Sequence, residues 1–391
     1  MKIDKLKTPV YIIDEKKLIQ NLERLKSVEE HTGCHILLAQ KAFSSYAEYP
    51  LIAEYISGTT ASGLYEARLG AECMGKENHV FAPAYKKEDM EELVKICDHI
   101  IFNSVSQLKR YKKLCRKAGV SVGLRVNPEY STQGEHGIYD PCARGSRLGV
   151  TLKNLQDEIN RQPDILDGLE GIHFHTLCEQ NADALEATLR VVEEKFGFLL
   201  KDMKWVNFGG GHHITREDYQ VERLENCIRK IRDTYQVEVY VEPGEAVALN
   251  AGYLKTTVLD KVENEIATLI LDASAACHMP DVLEMPYTPP LKDAIRLSDI
   301  GQEIWQPGEP RKYRYRLSSY TCLAGDIIGD YEFSKEIQIG DQLLFEDMAI
   351  YSMVKNNTFN GIPLPDIAIQ RVDGSCEVWK KFDYEDFKRR L

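Results

Sequence analysis

Long apolar runs are missing from this chain. No stretch approaches the roughly 20 residues needed to span a bilayer, and the first residues, MKIDKLKTPVYIID, have no apolar core of the kind a cleavable leader carries. No leader and no membrane association are expected. Paired cysteines are missing too. The ten cysteines are scattered, with no CxxC and no repeated spacing, so they are expected to be mostly reduced core cysteines of a cytoplasmic protein, with no metal bound. Positive charge is in deficit: 49 Lys and Arg stand against 61 Asp and Glu, for a net charge of −12. That balance argues against nucleic acid or an anionic membrane as the main partner and suits a small cationic ligand. There is no internal repeat and no low-complexity linker.

What is present is a globular composition, 43% hydrophobic and 28% charged, over 391 residues, enough for two domains and a large core. From residue 35 to 243, short apolar strands alternate with amphipathic segments. The strand candidates are His35–Lys41, Gly58–Ser62, His79–Ala82, His99–Asn103, Ser121–Asn127, Leu169–His175, Trp205–Phe208 and Glu238–Glu242. Eight such units in this length predict a (β/α)8 barrel. The rival is an open doubly wound sheet, but no GxGxxG follows an early strand. Beyond Ala251 the helical periodicity fades, and strand-like segments between Gly, Pro and Asp turns predict a mostly β domain. The expected division is residues 15–252 for the barrel, with 1–14 and 253–391 for the β domain.

Barrel enzymes gather their chemistry at the C-terminal ends of the strands. Strand one carries Lys41 there, in LLAQKAFS. A lysine ending an apolar strand either keeps its head in water or, if desolvated, becomes a neutral nucleophile. Strand five carries Arg125. Strand six carries His173 and His175 on one face; His175 could stack on a planar ligand or be a core histidine, and His173 is left as an outer neighbour. Strand seven runs into Gly209, Gly210 and Gly211, whose backbone amides can approach an anion closely. Strand eight ends at Glu242, which needs a cationic partner, either a protonated ring nitrogen or Arg125. A lysine, an anion loop, a carboxylate and a flat ring together describe a pyridoxal 5′-phosphate site. The loop Glu129–Arg147, rich in Gly, Ser and Pro, reads as a long active-site loop.

These residues resemble the alanine racemase-like class of pyridoxal phosphate enzymes, which pair a barrel with a β domain, and within it the decarboxylases of ornithine, diaminopimelate and related amino acids. The resemblance spans nearly the whole chain. It implies Lys41 as the lysine carrying the cofactor, His175 stacked on its ring, Gly209–Gly211 at its phosphate and Glu242 at its ring nitrogen. SYTCLAGD, Ser319–Asp326, resembles the cysteine motif of the β domain, which implies Cys322 as a catalytic cysteine serving the partner subunit of a homodimer. Ala349–Gly361 resembles the segment whose tyrosine, here Tyr351, lies by the phosphate. Two features depart from the broad pattern. The histidine motif continues Thr176, Leu177, Cys178 instead of Gly-Ser, and EPGR is EPGE, with Glu245 where arginine is usual. A glutamate there repels a carboxylate tail and attracts an amine. These departures, with KAFS after Lys41 and the stretch His278–Tyr287, resemble the branch that decarboxylates carboxynorspermidine and carboxyspermidine. A polyamine-type substrate is therefore expected, with Glu245 and Asp281 first, and Asp326 and Glu179 next, holding its amines. The alternatives are diaminopimelate or another basic amino acid, a racemase, or a non-enzymatic carrier of the cofactor.

Overall fold

The computed structural model describes residues 1–134, 140–300 and 313–391. Part of the Glu129–Arg147 loop, residues 135–139, lies outside that range. The chain divides into two compact units, Asn21–Val247 and a second made of Met1–Gln20 with Ala248–Leu391.

The strands, in chain order, begin with β1 (Val10–Asp14), which belongs to the second unit. Then come β2 (His35–Ala39), β3 (Gly58–Ala61), β4 (Glu77–Phe81), β5 (His99–Phe102), β6 (Ser121–Arg125), β7 (Gly171–His173), β8 (Trp205–Asn207) and β9 (Glu238–Val241). These eight, β2 to β9, form a closed parallel barrel. It closes where His35 and Ile36 pair with Tyr240 and Val241. Parallel strands need crossovers, and helices such as Leu64–Cys73, Val105–Ala118 and Val221–Tyr235 supply them. The helix Val105–Ala118 shows how its residues end it: the Ser104 side chain accepts from Gln107 N–H at the start, and Gly119 takes the left-handed conformation at the end.

Inside the barrel, Leu37, Ile101, Trp205 and Tyr240 form a plug. Trp205 sets two sequence requirements. A Cβ on Gly123 would lie 2.3 Å from its indole, and one on Gly171 only 2.0 Å, so β6 and β7 both carry glycine where the large ring sits.

The second unit is built on a nine-stranded sheet. After β1 its strands are β10 (Gly252–Asn264), β11 (Ile266–Leu271), β12 (Ala294–Arg296), β13 (Arg314–Ser319), β14 (Ile327–Phe333), β15 (Gln342–Glu346), β16 (Asp366–Gln370) and β17 (Cys376–Lys380). The opening strand joins this sheet between β10 and β16. The long β10 changes partners along its length: Tyr253–Thr257 pair with β15 and Val258–Asn264 with β11. Alternation drives the core: in β13, Tyr315, Leu317 and Ser319 are the buried residues. Among the described residues, no helix is long and apolar enough to cross a membrane.

Candidate active site

Lys41 lies two residues past the end of β2, in a turn held from three sides. Ala39 N–H donates to Pro243 O at 3.2 Å. Ser44 Oγ donates to Gln40 O at 2.6 Å, and Tyr49 Oη to Gln40 Oε1 at 3.0 Å. A Cβ on Gly244 would lie 2.6 Å from Ala42 Cβ, so the loop after β9 packs directly on this turn. Lys41 is flanked by buried Ala42 and Phe43 while its own side chain is open to solvent. Its pKa is lowered, first by desolvation and then by Arg125, against the pull of Glu242, Cys178 and Glu66. A lowered pKa favours the neutral amine, the form in which a lysine is nucleophilic.

Glu242 is buried on β9's exit. Its two oxygens have separate donors: Asn207 Nδ2 at 2.8 Å and His173 Nε2 at 3.1 Å. Burial alone would raise its pKa; the His173 contact overrides it and holds the carboxyl down at about 2. The buried His173 has its own pKa lowered by desolvation, so the pair is an ionised carboxylate facing a neutral imidazole. Among the described residues no salt bridge joins Glu242 to Arg125. Arg125 instead donates to His175 O at 3.2 Å and rests 4.6 Å above the Phe81 ring. Burial lowers its pKa to about 10, which leaves it charged at neutral pH.

The glycine triplet is fastened to both groups. Gly209 N–H donates to Asn207 Oδ1 at 2.8 Å, and Gly210 N–H to His175 Nδ1 at 3.2 Å. His175 thus accepts on Nδ1, and burial followed by the charges of Lys41 and Arg125 pushes its pKa well down. Two of the three amides are used within the protein. At Gly211 the backbone is left-handed (φ +84°), and a Cβ would stand 2.1 Å from Leu177 O. The triplet is needed for this close approach of two loops as well as for any anion.

Beyond this group, His213 Nε2 lies 2.7 Å from Glu245 Oε2. Ligand atoms of Glu179, His213 and Glu245 all lie within 4.8 Å of one another. A second such group, Glu77, His79 and His99, comes from the first residues of β4 and β5, at the opposite end of the barrel.

The remaining expected site residues lie in the second unit. Cys322 is exposed, and its backbone N–H donates to Asn360 Oδ1 at 2.7 Å. Tyr351 takes a left-handed backbone (φ 48°). The Asp326 carboxylate is buried and accepts from Ser274 Oγ (2.7 Å), Ser319 Oγ (2.6 Å), Thr321 Oγ1 (2.6 Å) and Ala276 N–H (3.2 Å). Those contacts tie down both ends of the Cys322 loop. Asp281 pairs with Lys355, which also reaches Glu284 at 2.6 Å. Sequence reasoning missed Asn207, His213 and Glu66 and gave His173 no partner. The alternation of His173 with His175 was the one available signal for the last.

An ionised buried carboxylate, a lysine with a lowered pKa and a glycine loop under a neutral histidine fit pyridoxal phosphate, whose ring nitrogen, aldehyde and phosphate call for those three chemistries. The chain belongs to the pyridoxal-dependent decarboxylases: residues 10–349 match that family's model, described as its C-terminal sheet domain. It is a pyridoxal phosphate-dependent decarboxylase. A carboxynorspermidine/carboxyspermidine decarboxylase of Campylobacter jejuni is 42% identical over 387 residues, covering 99% of each chain. A carboxyaminopropylagmatine decarboxylase of Synechocystis is 38% identical over 392 residues, 100% of this chain and 97% of that one. The crystal structure of carboxynorspermidine decarboxylase from Campylobacter jejuni, complexed with norspermidine, superposes with a TM-score of 0.90 at 41% identity, covering 99% of this chain and 100% of that one.

Proposed function

We propose that the chain decarboxylates carboxynorspermidine and carboxyspermidine, releasing norspermidine and spermidine in polyamine biosynthesis. The observation that carries this reading is the acidic pair Glu179 and Glu245 on the rim that bears Lys41. A diaminopimelate tail would bring a carboxylate to that pair, whereas a polyamine tail brings an ammonium. The relatives that act on polyamine-type substrates at 42% and 38% identity support it.

When bound, the cofactor supplies an electron sink for the carbon that loses carbon dioxide. Lys41 would be the residue that holds it. Glu242, ionised and fixed by His173 and Asn207, would hold a proton on the ring nitrogen. The half-buried His175 offers a neutral ring for stacking. Gly211 N–H has no acceptor among the described residues and would, with Arg125, hold the phosphate. Cys322 returns a proton to the α-carbon. The exposed apolar side chains of Tyr320, Leu323 and Phe359 around it support a homodimer in which Cys322 serves the site of the other subunit. The ten free cysteines support a cytoplasmic location. Asp326, filled by its own donors, positions the Cys322 loop. Asp281 would meet a substrate amine only by sharing its carboxylate between that amine and Lys355.

The Synechocystis relative favours a second reading, the same chemistry on a tail that ends in guanidinium. Carbon dioxide release from carboxynorspermidine, carboxyspermidine, carboxyaminopropylagmatine, diaminopimelate, ornithine and arginine separates these. The first two should lead by kcat/KM; a lead by diaminopimelate or ornithine would overturn the proposal. Borohydride should fix the cofactor on Lys41.

A further inference from the structure

The Glu245 carboxylate does not stand alone. His213, two residues beyond the glycine triplet, is buried, and its Nε2 lies 2.7 Å from Glu245 Oε2. Glu179 comes from a different loop, in a left-handed backbone (φ 52°). That loop is latched to the first: Gln180 N–H donates to Gly211 O at 3.0 Å, and His213 N–H to Gln180 O at 3.4 Å. Gln180 Oε1 also accepts from Thr132 Oγ1 at 2.6 Å and from Gln133 Nε2 at 2.9 Å. Three loops are thus locked together, and His213 on one of them reaches Glu245, which begins the short helix Glu245–Ala248 after β9, so that two carboxylates and one imidazole meet.

Two carboxylates this close repel, and a donor on Glu245 helps to keep it in place. His213 supplies that donor. Its Nδ1 is buried and has no partner among the described residues. With Nδ1 unpartnered, the ring fixes Glu245 through Nε2–H alone, which the carboxylate accepts.

We infer that His213 is a positioning residue for specificity: it holds Glu245 so that Glu245 and Glu179 together accept the far ammonium of the substrate. This rests on the polyamine reading above. The chemistry selected is an aliphatic ammonium at the end of the tail. His213 acts through Glu245 and has no part in carbon dioxide loss.

The test uses full-length holoenzyme and two variants. His213→Gln keeps an N–H near the Nε2 position, and His213→Leu removes it. The readouts are the Kd of norspermidine by calorimetry, and KM and kcat for carboxynorspermidine beside its analogue with propyl in place of aminopropyl. Retained cofactor absorbance serves as the check on folding. His213→Leu should weaken norspermidine binding about tenfold or more, as loss of a hydrogen bond to a charged group predicts. It should raise the KM for the full substrate over that for the propyl analogue by a similar factor, with the change in KM and not in kcat. His213→Gln should recover most of that loss. Equal effects of His213→Leu on both substrates, or a Gln variant no better than Leu, would overturn the inference. If the wild-type protein prefers diaminopimelate or ornithine, the polyamine reading itself has failed, a result distinct from either.

Discussion

Asn207 joins the glycine loop to the carboxylate on the next strand. Its Oδ1 accepts from Gly209 N–H and its Nδ2 donates to Glu242 Oε1, each at 2.8 Å. One buried amide therefore fixes both the turn proposed to meet the phosphate and the group proposed to meet the ring nitrogen.

Replacing Asn207 by Ala should leave a buried oxygen of Glu242 without a donor, at a cost of about 1–3 kcal/mol. In a unit of this size that is a fall in melting temperature of roughly 3–10 °C. Cofactor affinity should drop along with kcat. A thermal scan and a pyridoxal phosphate titration check both, and wild-type values in each would remove Asn207 from the site.

Glycines at different places should answer alanine differently. Gly211→Ala forces a left-handed backbone and a 2.1 Å approach to Leu177 O, a strain of about 1–3 kcal/mol that should appear as weaker cofactor binding. Gly171→Ala drives a methyl into Trp205 and should cost stability on the order of 1–3 kcal/mol while cofactor binding holds. Gly197 lies inside the helix Ala182–Leu200, where a Cβ meets only Tyr235 Oη at 3.5 Å. There alanine should stabilise by about 0.5–1 kcal/mol. Urea denaturation of the three variants orders them.

Asp326→Ala removes the acceptor of three hydroxyls and one backbone amide, so it should destabilise by about 3 kcal/mol and lower activity with it. Cys322→Ala, at an exposed position, should lower activity by a hundredfold or more, on the order expected for a lost proton donor, with the melting temperature unmoved. If Cys322→Ala is fully active, the cysteine is no proton donor.

Acid should weaken the barrel through its far end. Burial, with the charge of His79 next, lowers the His99 pKa from 6.5 to about 3. As pH falls below 6.5 the unfolded chain takes up a proton that the folded one refuses, so stability is lost down to about pH 3. Glu77, despite burial, is held by His79 at about 2 instead of 4.5. Its contribution is present above pH 4.5 and lost between there and about 2. Unfolding midpoints at pH 7.5 and pH 4 should differ, and a Glu77→Gln, His99→Gln double variant should flatten the slope. An unchanged slope would rule these two groups out.

Much of this protein was legible along the chain. Strand periodicity and the turn residues between strands revealed eight barrel strands, because parallel strands buried on both faces leave a local apolar signature. The rule that such barrels carry their chemistry at strand ends then singled out Lys41, Glu242 and the glycine triplet. Most strands were read one or two residues too far at their C-terminal ends, β7 was also begun two residues early and β4 two residues late, since a strand end depends on its neighbours' hydrogen bonds. The helix Leu152–Arg161 and strands β12, β14 and β16 were not singled out. Tertiary structure alone decided the partners. That Glu242 meets His173 and Asn207 instead of Arg125 follows from the register of β7, β8 and β9 around the closed barrel. That Glu245 meets His213, and Asp281 meets Lys355, follows from loops brought together by folding. A sequence states which side chains are charged. Only the closed barrel and the packed loops state which charges face each other, because those contacts join residues far apart in the chain and depend on ångström-scale geometry.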